Sequence, residues 1–140
     1  MLGTVHHIGF VMCDITRAEN HFASLGHVRR ADPIEDDYQD AEIIFLERKE
    51  RAAGEPLIEL VKPRSERSRV YEYAVKSKFR IHHLCYVTEN IEATAASLLE
   101  KRFFQVTPAM NAPAIGNSLI SFFYSRETGL FEIVERPPFS

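Results

Sequence analysis

Two histidines and two glutamates sit where side chains of their kind are costly. His7 opens the run His7-Ile8-Gly9-Phe10-Val11-Met12-Cys13-Asp14-Ile15, and His83 opens His83-Leu84-Cys85-Tyr86-Val87-Thr88-Glu89-Asn90-Ile91. Glu59 stands between Ile58 and Leu60, and Glu132 between Phe131 and Ile133. A carboxylate inside an apolar run is expensive to bury without a partner. Neutral imidazole and carboxylate are both good ligands for first-row divalent ions. Two of each neutralise a 2+ charge and leave positions for water or substrate oxygens. The set contains no cysteine, which argues against a closed structural zinc site. The expected cofactor is therefore one divalent ion (Ni, Co, Mn, Fe or Zn), held openly by His7, Glu59, His83 and Glu132. The competing explanation is four unrelated polar residues on edge strands, and the repeat argues against it.

That repeat supplies the elements that must position these groups. His7 and His83 are 76 residues apart, and the same offset relates Ile15 to Ile91. Ile58-Glu59-Leu60-Val61 matches Phe131-Glu132-Ile133-Val134 at an offset of 73. Each histidine run reads as a strand, then reaches a helix-capping residue, Asp14 or Asn90. Ile15, Ala18, Phe22 and Leu25 give a helical stripe that Gly26 can end, and Ile91, Ala95, Leu98 and Leu99 give its counterpart. Further strands are expected near 28–32, 41–47, 104–107 and 117–124. Ser65 with Val70, Tyr73 and Ala74 reads as a short capped helix. The chain thus divides into a first module over 1–64, a linker helix over 65–78 and a second module over 79–140, within a single domain. Strand alternation puts His7, Gly9 and Val11 on one face and Ile8, Phe10 and Met12 under the helix. By the same rule His6 and His82 turn to the face opposite the ligands, as packing or surface histidines. His21 and His27 read as exposed, and Glu35 to Asp40 as a solvated loop.

The bulk properties are those of an ordinary chain with enough apolar surface for a core. The chain has 140 residues, 45% hydrophobic and 26% charged, with a net charge of -3, so no basic stripe argues for nucleic acid. No apolar run reaches the roughly 20 residues that span a bilayer. No secretory signal is visible at the start. Cys13 and Cys85 are expected as buried free thiols, and the expected location is cytoplasmic.

Four segments in order carry a resemblance: His7-Ile8-Gly9, Ile58-Glu59-Leu60-Val61-Lys62-Pro63, Ile81-His82-His83-Leu84, and Leu130-Phe131-Glu132-Ile133. Together they resemble the vicinal oxygen chelate (glyoxalase, bleomycin-resistance, dioxygenase) superfamily, nearest its methylmalonyl-CoA epimerase and glyoxalase I branch. The resemblance implies an α+β fold of two βαβββ modules, with a curled mixed sheet around a metal-binding cleft. It implies the same four ligands, with Glu132 or Glu59 as the catalytic carboxylate. Two places depart from the epimerases. Their glutamate before the third strand is replaced by Tyr38, with Asp37 and Asp40 beside it. Their Ala-His-Gly-Lys-like loop reads Ala114-Ile115-Gly116-Asn117. The implied activity is epimerase-like, moving a proton next to a carbonyl through a metal-chelated enolate. The alternatives are a glyoxalase I-like lactoylglutathione lyase and a small-molecule (antibiotic) binding protein. The implied partner is a small carbonyl or thioester substrate, and a homodimer is expected.

Overall fold

The computed structural model describes residues 2–140. Each histidine run becomes a central strand, β1 (Val5–Val11) and β6 (Ile81–Thr88), and each capping residue starts a helix, α1 (Ile15–Ser24) and α3 (Ile91–Glu100). The first half adds β2 (His27–Arg29), β3 (Ile34–Asp36), β4 (Ala41–Arg48) and β5 (Leu57–Pro63). The second adds β7 (Phe104–Gln105), β8 (Met110–Ala112), β9 (Ser118–Ser125) and β10 (Gly129–Glu135). The short α2 (Tyr71–Lys76) lies between them and is shorter than the 65–78 span expected. Val70 precedes it without a side-chain cap, because Ser65 and Ser68 bond within the preceding turn instead.

One mixed sheet of 10 strands results, in the order β2-β4-β5-β1-β6-β10-β9-β7. Each βαβββ unit is present with its second strand interrupted. In the first half β2 and β3 pair with opposite ends of β4, and in the second β7 and β8 do so with β9. The acidic stretch is therefore only partly loop. Glu35 and Asp36 lie in β3, and the Arg64 guanidinium gathers Glu35, Asp37 and Asp40 at 3.1, 2.9 and 3.0 Å.

The halves join where β1 runs antiparallel to β6, with Ile8 directly opposite Leu84. Those two residues are repeat equivalents, so the pseudo-two-fold passes between them. Met12, Ile15, Ile44, Leu46, Ile58 and Leu60 pack under α1 with Ile8, Phe10 and Phe22. Ile91, Leu98, Phe123, Phe131 and Ile133 pack under α3. The third core, which includes Val11, Phe45, Cys85, Phe122 and Val134, lies on the concave side. Burying each such Leu, Ile or Phe stabilises the fold by about 1.5–3 kcal/mol before entropy is charged. Val11 and Cys85 thus lie on the concave side and Ile8, Phe10 and Met12 under α1, as alternation requires. Of the two thiols, Cys85 is buried and Cys13 is exposed, because Cys13 lies past the end of β1.

Both helices start alike: the Asp14 carboxylate accepts from the Arg17 N–H at 3.0 Å, and the Asn90 carbonyl oxygen from the Ala93 N–H at 2.9 Å. Asp14→Ala and Asn90→Ala should each cost about 1 kcal/mol in urea unfolding, and the double variant should cost their sum within roughly 0.5 kcal/mol. Strong non-additivity would mean that the two halves do not cap independently.

Candidate metal centre

Four strands lying side by side, β5-β1-β6-β10, bring the four expected residues to one point on the concave face. His7 and His83 come from the antiparallel centre, and Glu59 and Glu132 from the flanking parallel strands. Their relative exposures are 0, 4, 5 and 3% in that order. The two Nε2 atoms are 3.2 Å apart. Within each half the histidine-to-glutamate distances are 3.5 Å (His7 to Glu59) and 3.6 Å (His83 to Glu132). Across halves they are 3.1 Å (His7 to Glu132) and 3.3 Å (His83 to Glu59). The sequence repeat is therefore also a geometric one, centred on these atoms.

Gly9 is what lets the rings meet. It lies opposite His83, and a Cβ there would stand 2.2 Å from His83 Cε1. The equivalent position in the other half is Cys85, fully buried opposite His7. Burial, then the charge of Glu132, pushes the Cys85 thiol well above its ordinary range, so it stays protonated as a small packing group.

His6 and His82 do not point away as alternation requires. The register of β1 against β6 slips by one residue between Val5 and His7, and again between Gly9 and Phe10 opposite His83 and Ile81. Each slip is a β-bulge, which puts an extra residue on one strand and re-aims its side chain. His6 and His82 are those residues. His6 Nδ1 lies 2.8 Å from His7 Nδ1, and His82 Nδ1 lies 2.9 Å from His83 Nδ1. The signal was present in the sequence as a doublet, His-His, at both repeat positions, but a one-residue bulge is invisible to a period-two reading. His21 is exposed as expected; His27 is partly covered, edge-on to Phe22.

The His6 bond settles a tautomer. His6 Nε2 lies 2.8 Å from the Phe139 carbonyl, which can only accept. Burial lowers the His6 pKa, so the ring is neutral and its one proton is on Nε2. His6 Nδ1 must then accept, and His7 Nδ1–H must donate to it. Burial holds His7 at a pKa of about 3, so it is neutral too and its Nε2 is bare. That lone pair faces Glu132 Oε1, which is buried and has no hydrogen-bond partner among the described residues. Two acceptors 3.1 Å apart in a buried site repel unless a proton or a metal cation lies between them. Burial also raises the Glu132 carboxyl above its usual range. At His83 burial acts downward, but the hydrogen bond and charge of Glu59, with the charge of Glu132, outweigh it and raise the pKa.

His7, His83 and Glu132 form a group able to hold a metal ion, and Glu59 contacts both imidazoles of that group. The separations of 3.1–3.6 Å match roughly what neighbouring ligands show when each is about 2.1 Å from one ion. The donor set therefore fits a divalent ion.

Beside the cluster lies a cavity of about 190 Å³, whose walls include His82, Phe122, Asp36, Arg69, Thr107 and Asn111. Phe122 packs edge-on to His83 with ring centroids 5.2 Å apart. Asp36 is buried, and its carboxylate accepts from the Gln39 backbone N–H and side-chain amide at 3.1 and 3.0 Å. Sequence reasoning had placed it in a solvated loop. Tyr38 is half exposed, with the Arg69 guanidinium over its ring at 4.1 Å.

Residues 6–122 match the family model described as Glyoxalase/Bleomycin resistance protein/Dioxygenase superfamily. No curated protein sequence matches the chain significantly. Among solved structures it is similar to methylmalonyl-CoA epimerase from Mycobacterium tuberculosis (TM-score 0.82, 23% identity, 96% of this chain and 89% of that one). A Streptomyces coelicolor methylmalonyl-CoA epimerase variant in complex with 2-nitronate-propionyl-CoA gives a TM-score of 0.83 at 21% identity, covering 96% of this chain and 98% of the other. A hypothetical protein from Bacillus halodurans gives 0.82 at 24% identity, covering 98% and 96%. At these identities the likeness establishes the fold.

Gly9→Ala tests the centre without touching a candidate ligand. The added methyl must displace the His83 ring, so urea unfolding should show a loss of about 1–3 kcal/mol, with reduced zinc content after dialysis. Unchanged stability and unchanged zinc would contradict the packing of His83 against Gly9.

Proposed function

Because the chain belongs to the Glyoxalase/Bleomycin resistance protein/Dioxygenase superfamily, we propose that it is a divalent-metal-dependent isomerase that moves a proton next to a carbonyl, with methylmalonyl-CoA epimerase-like chemistry. The observation that carries the metal is the bare Nε2 of His7 facing the unpartnered Oε1 of Glu132. In this reading His7, Glu59, His83 and Glu132 are the ligands. A bound divalent ion would supply Lewis acidity, polarising neighbouring substrate oxygens and stabilising the charge that develops as the α-proton leaves.

The proton itself is handled by the chain. Glu132 serves as the base once its carboxylate leaves its ligand role, which frees an oxygen to take the proton. Glu59, its pseudo-symmetric counterpart, is the second candidate. Such a base is typically worth ~10² to 10⁴ in rate. Epimerisation needs proton transfer on both faces of the enolate. Tyr38 cannot supply the carboxylate that the epimerases carry there, but Asp36 can. It is buried, lines the cavity, and is near enough to Glu132 for its charge to raise the Glu132 carboxyl. This second carboxylate favours epimerisation over hemithioacetal isomerisation, which can reuse one. The similar Streptomyces coelicolor and related structures hold CoA thioesters, which supports a thioester substrate. All four ligands come from one chain, so the homodimer we propose would add stability without completing the site.

Two measurements test the reading. His83→Ala should lose most of its bound metal relative to wild type; full occupancy would remove His83 from the ligand set. Metal-loaded protein in deuterated water should wash deuterium into methylmalonyl-CoA, and Glu132→Gln should slow that exchange by at least ~10²-fold. Exchange or turnover with the methylglyoxal–glutathione adduct instead would reassign the reaction to the glyoxalase class.

A further inference from the structure

The two bulged histidines differ in what their outer nitrogens meet. His6 Nε2 is tied to the Phe139 carbonyl. His82 Nε2 has no hydrogen-bond partner among the described residues, and His82 lines the 190 Å³ cavity. Its ring is braced edge-on by Tyr73, with centroids 4.8 Å apart, and the Tyr73 hydroxyl is fixed by donating to the Ile81 carbonyl. His82 is therefore a held ring with one nitrogen on the cluster side and one on the cavity side.

Which nitrogen carries the proton follows from the metal reading, on which this inference rests. If His83 binds the ion through Nε2, its own proton is on Nδ1, as a ligating imidazole requires. Only His82 Nδ1, 2.9 Å away, is placed to accept it. A neutral ring that accepts at Nδ1 has its proton at Nε2. We propose that His82 couples the metal ligand to the bound molecule: it orients His83 by accepting from Nδ1–H, and it offers a fixed Nε2–H donor to a carbonyl or carboxylate oxygen in the adjacent cavity.

The rest of the cavity suits such a ligand. Val70, Met110, Ile120 and Leu130 give apolar walls for a carbon chain, and Arg69 and Asn111 add further donors. An acceptor oxygen at Nε2–H makes Nδ1 a better acceptor in turn, because chained hydrogen bonds polarise one another. Occupancy of the cavity would thus tighten the bond that holds His83. On the other half the Phe139 carbonyl occupies the equivalent place permanently.

The test uses zinc-loaded protein with ¹⁵N-labelled histidine and malonate as the probe oxygen donor. Long-range ¹H–¹⁵N correlation should show His82 protonated at Nε2 and bare at Nδ1, and malonate should shift the Nε2 signal. His82→Phe, which can neither accept nor donate, should bind zinc roughly 10-fold or more weakly and should lose the response to malonate. His82→Asn, whose amide can do both, should recover most of the zinc affinity. A His82 proton on Nδ1, equal zinc affinity in wild type and His82→Phe, or no malonate shift at His82 in wild type would each overturn the inference. Failure of the wild-type protein to take up zinc would sink the metal reading and this inference with it. Normal zinc uptake with the wrong tautomer would sink this inference alone.

Discussion

Everything at the centre of this molecule depends on one pairing: β1 against β6 with Ile8 opposite Leu84. Repeat equivalents face each other there, so whatever β1 presents on its concave side is presented again by β6. One histidine becomes two, and the flanking strands β5 and β10 bring one glutamate each. A two-residue change of this register would leave the hydrophobic faces intact but carry His7 and His83 apart. A one-residue change would turn one of the two histidines to the helix face. The apolar packing under α1 and α3 therefore fixes the chemistry indirectly, by forbidding the odd slip. The even slip is opposed by Gly9, the position opposite His83 with no side chain to obstruct the ring.

The cost of that arrangement is electrostatic. Two carboxylates and two imidazoles, none more than 5% exposed, share one buried site. The Phe139 carbonyl and His6 leave the His7 Nε2 without a proton to give, so it can only accept. The unsatisfied Glu132 oxygen is the remainder. Buried groups of this kind are tolerated in native proteins where an ion or a reaction uses them. A proton or a metal ion between His7 Nε2 and Glu132 Oε1 relieves that repulsion.

The fold was legible in the sequence because its main determinants are periodic. Apolar alternation, a capping Asp or Asn, and the offsets of 76 and 73 residues each survive reading as text. The convergence of His7, Glu59, His83 and Glu132 was legible for the same reason, since a duplicated pattern implies a duplicated position. What escaped were local departures from period. A bulge adds one residue to one strand and leaves no compositional mark, so His6 and His82 were assigned to the wrong face. Asp36 was submerged in a run of acids, and only the strand β3 and the amide of Gln39 distinguish it from Asp37, which bonds to Arg64 on the surface. β2 and β7 overlap the strands expected near 28–32 and 104–107, whereas the three-residue β3 and β8 were too short for alternation to show.

A duplicated fold faces a difficulty at its axis, because a symmetric site gives a substrate two equivalent ways in. The departures from symmetry here all act in one direction. Phe139 fills the space beside His6 and packs on Phe45, with the Arg30 guanidinium 3.7 Å from its ring centroid. The corresponding space beside His82 is open and lined by Asp36, Arg69 and Asn111. Cys85 fills the position whose counterpart, Gly9, is left bare. The first half is thus closed around its histidine, while the second keeps a held but accessible ring. A cluster that is nearly symmetric in its four clustered side chains therefore opens toward the cavity on one side. Under the proposed function, that asymmetry lets one of two equivalent carboxylates take a proton from substrate while the other stays a ligand.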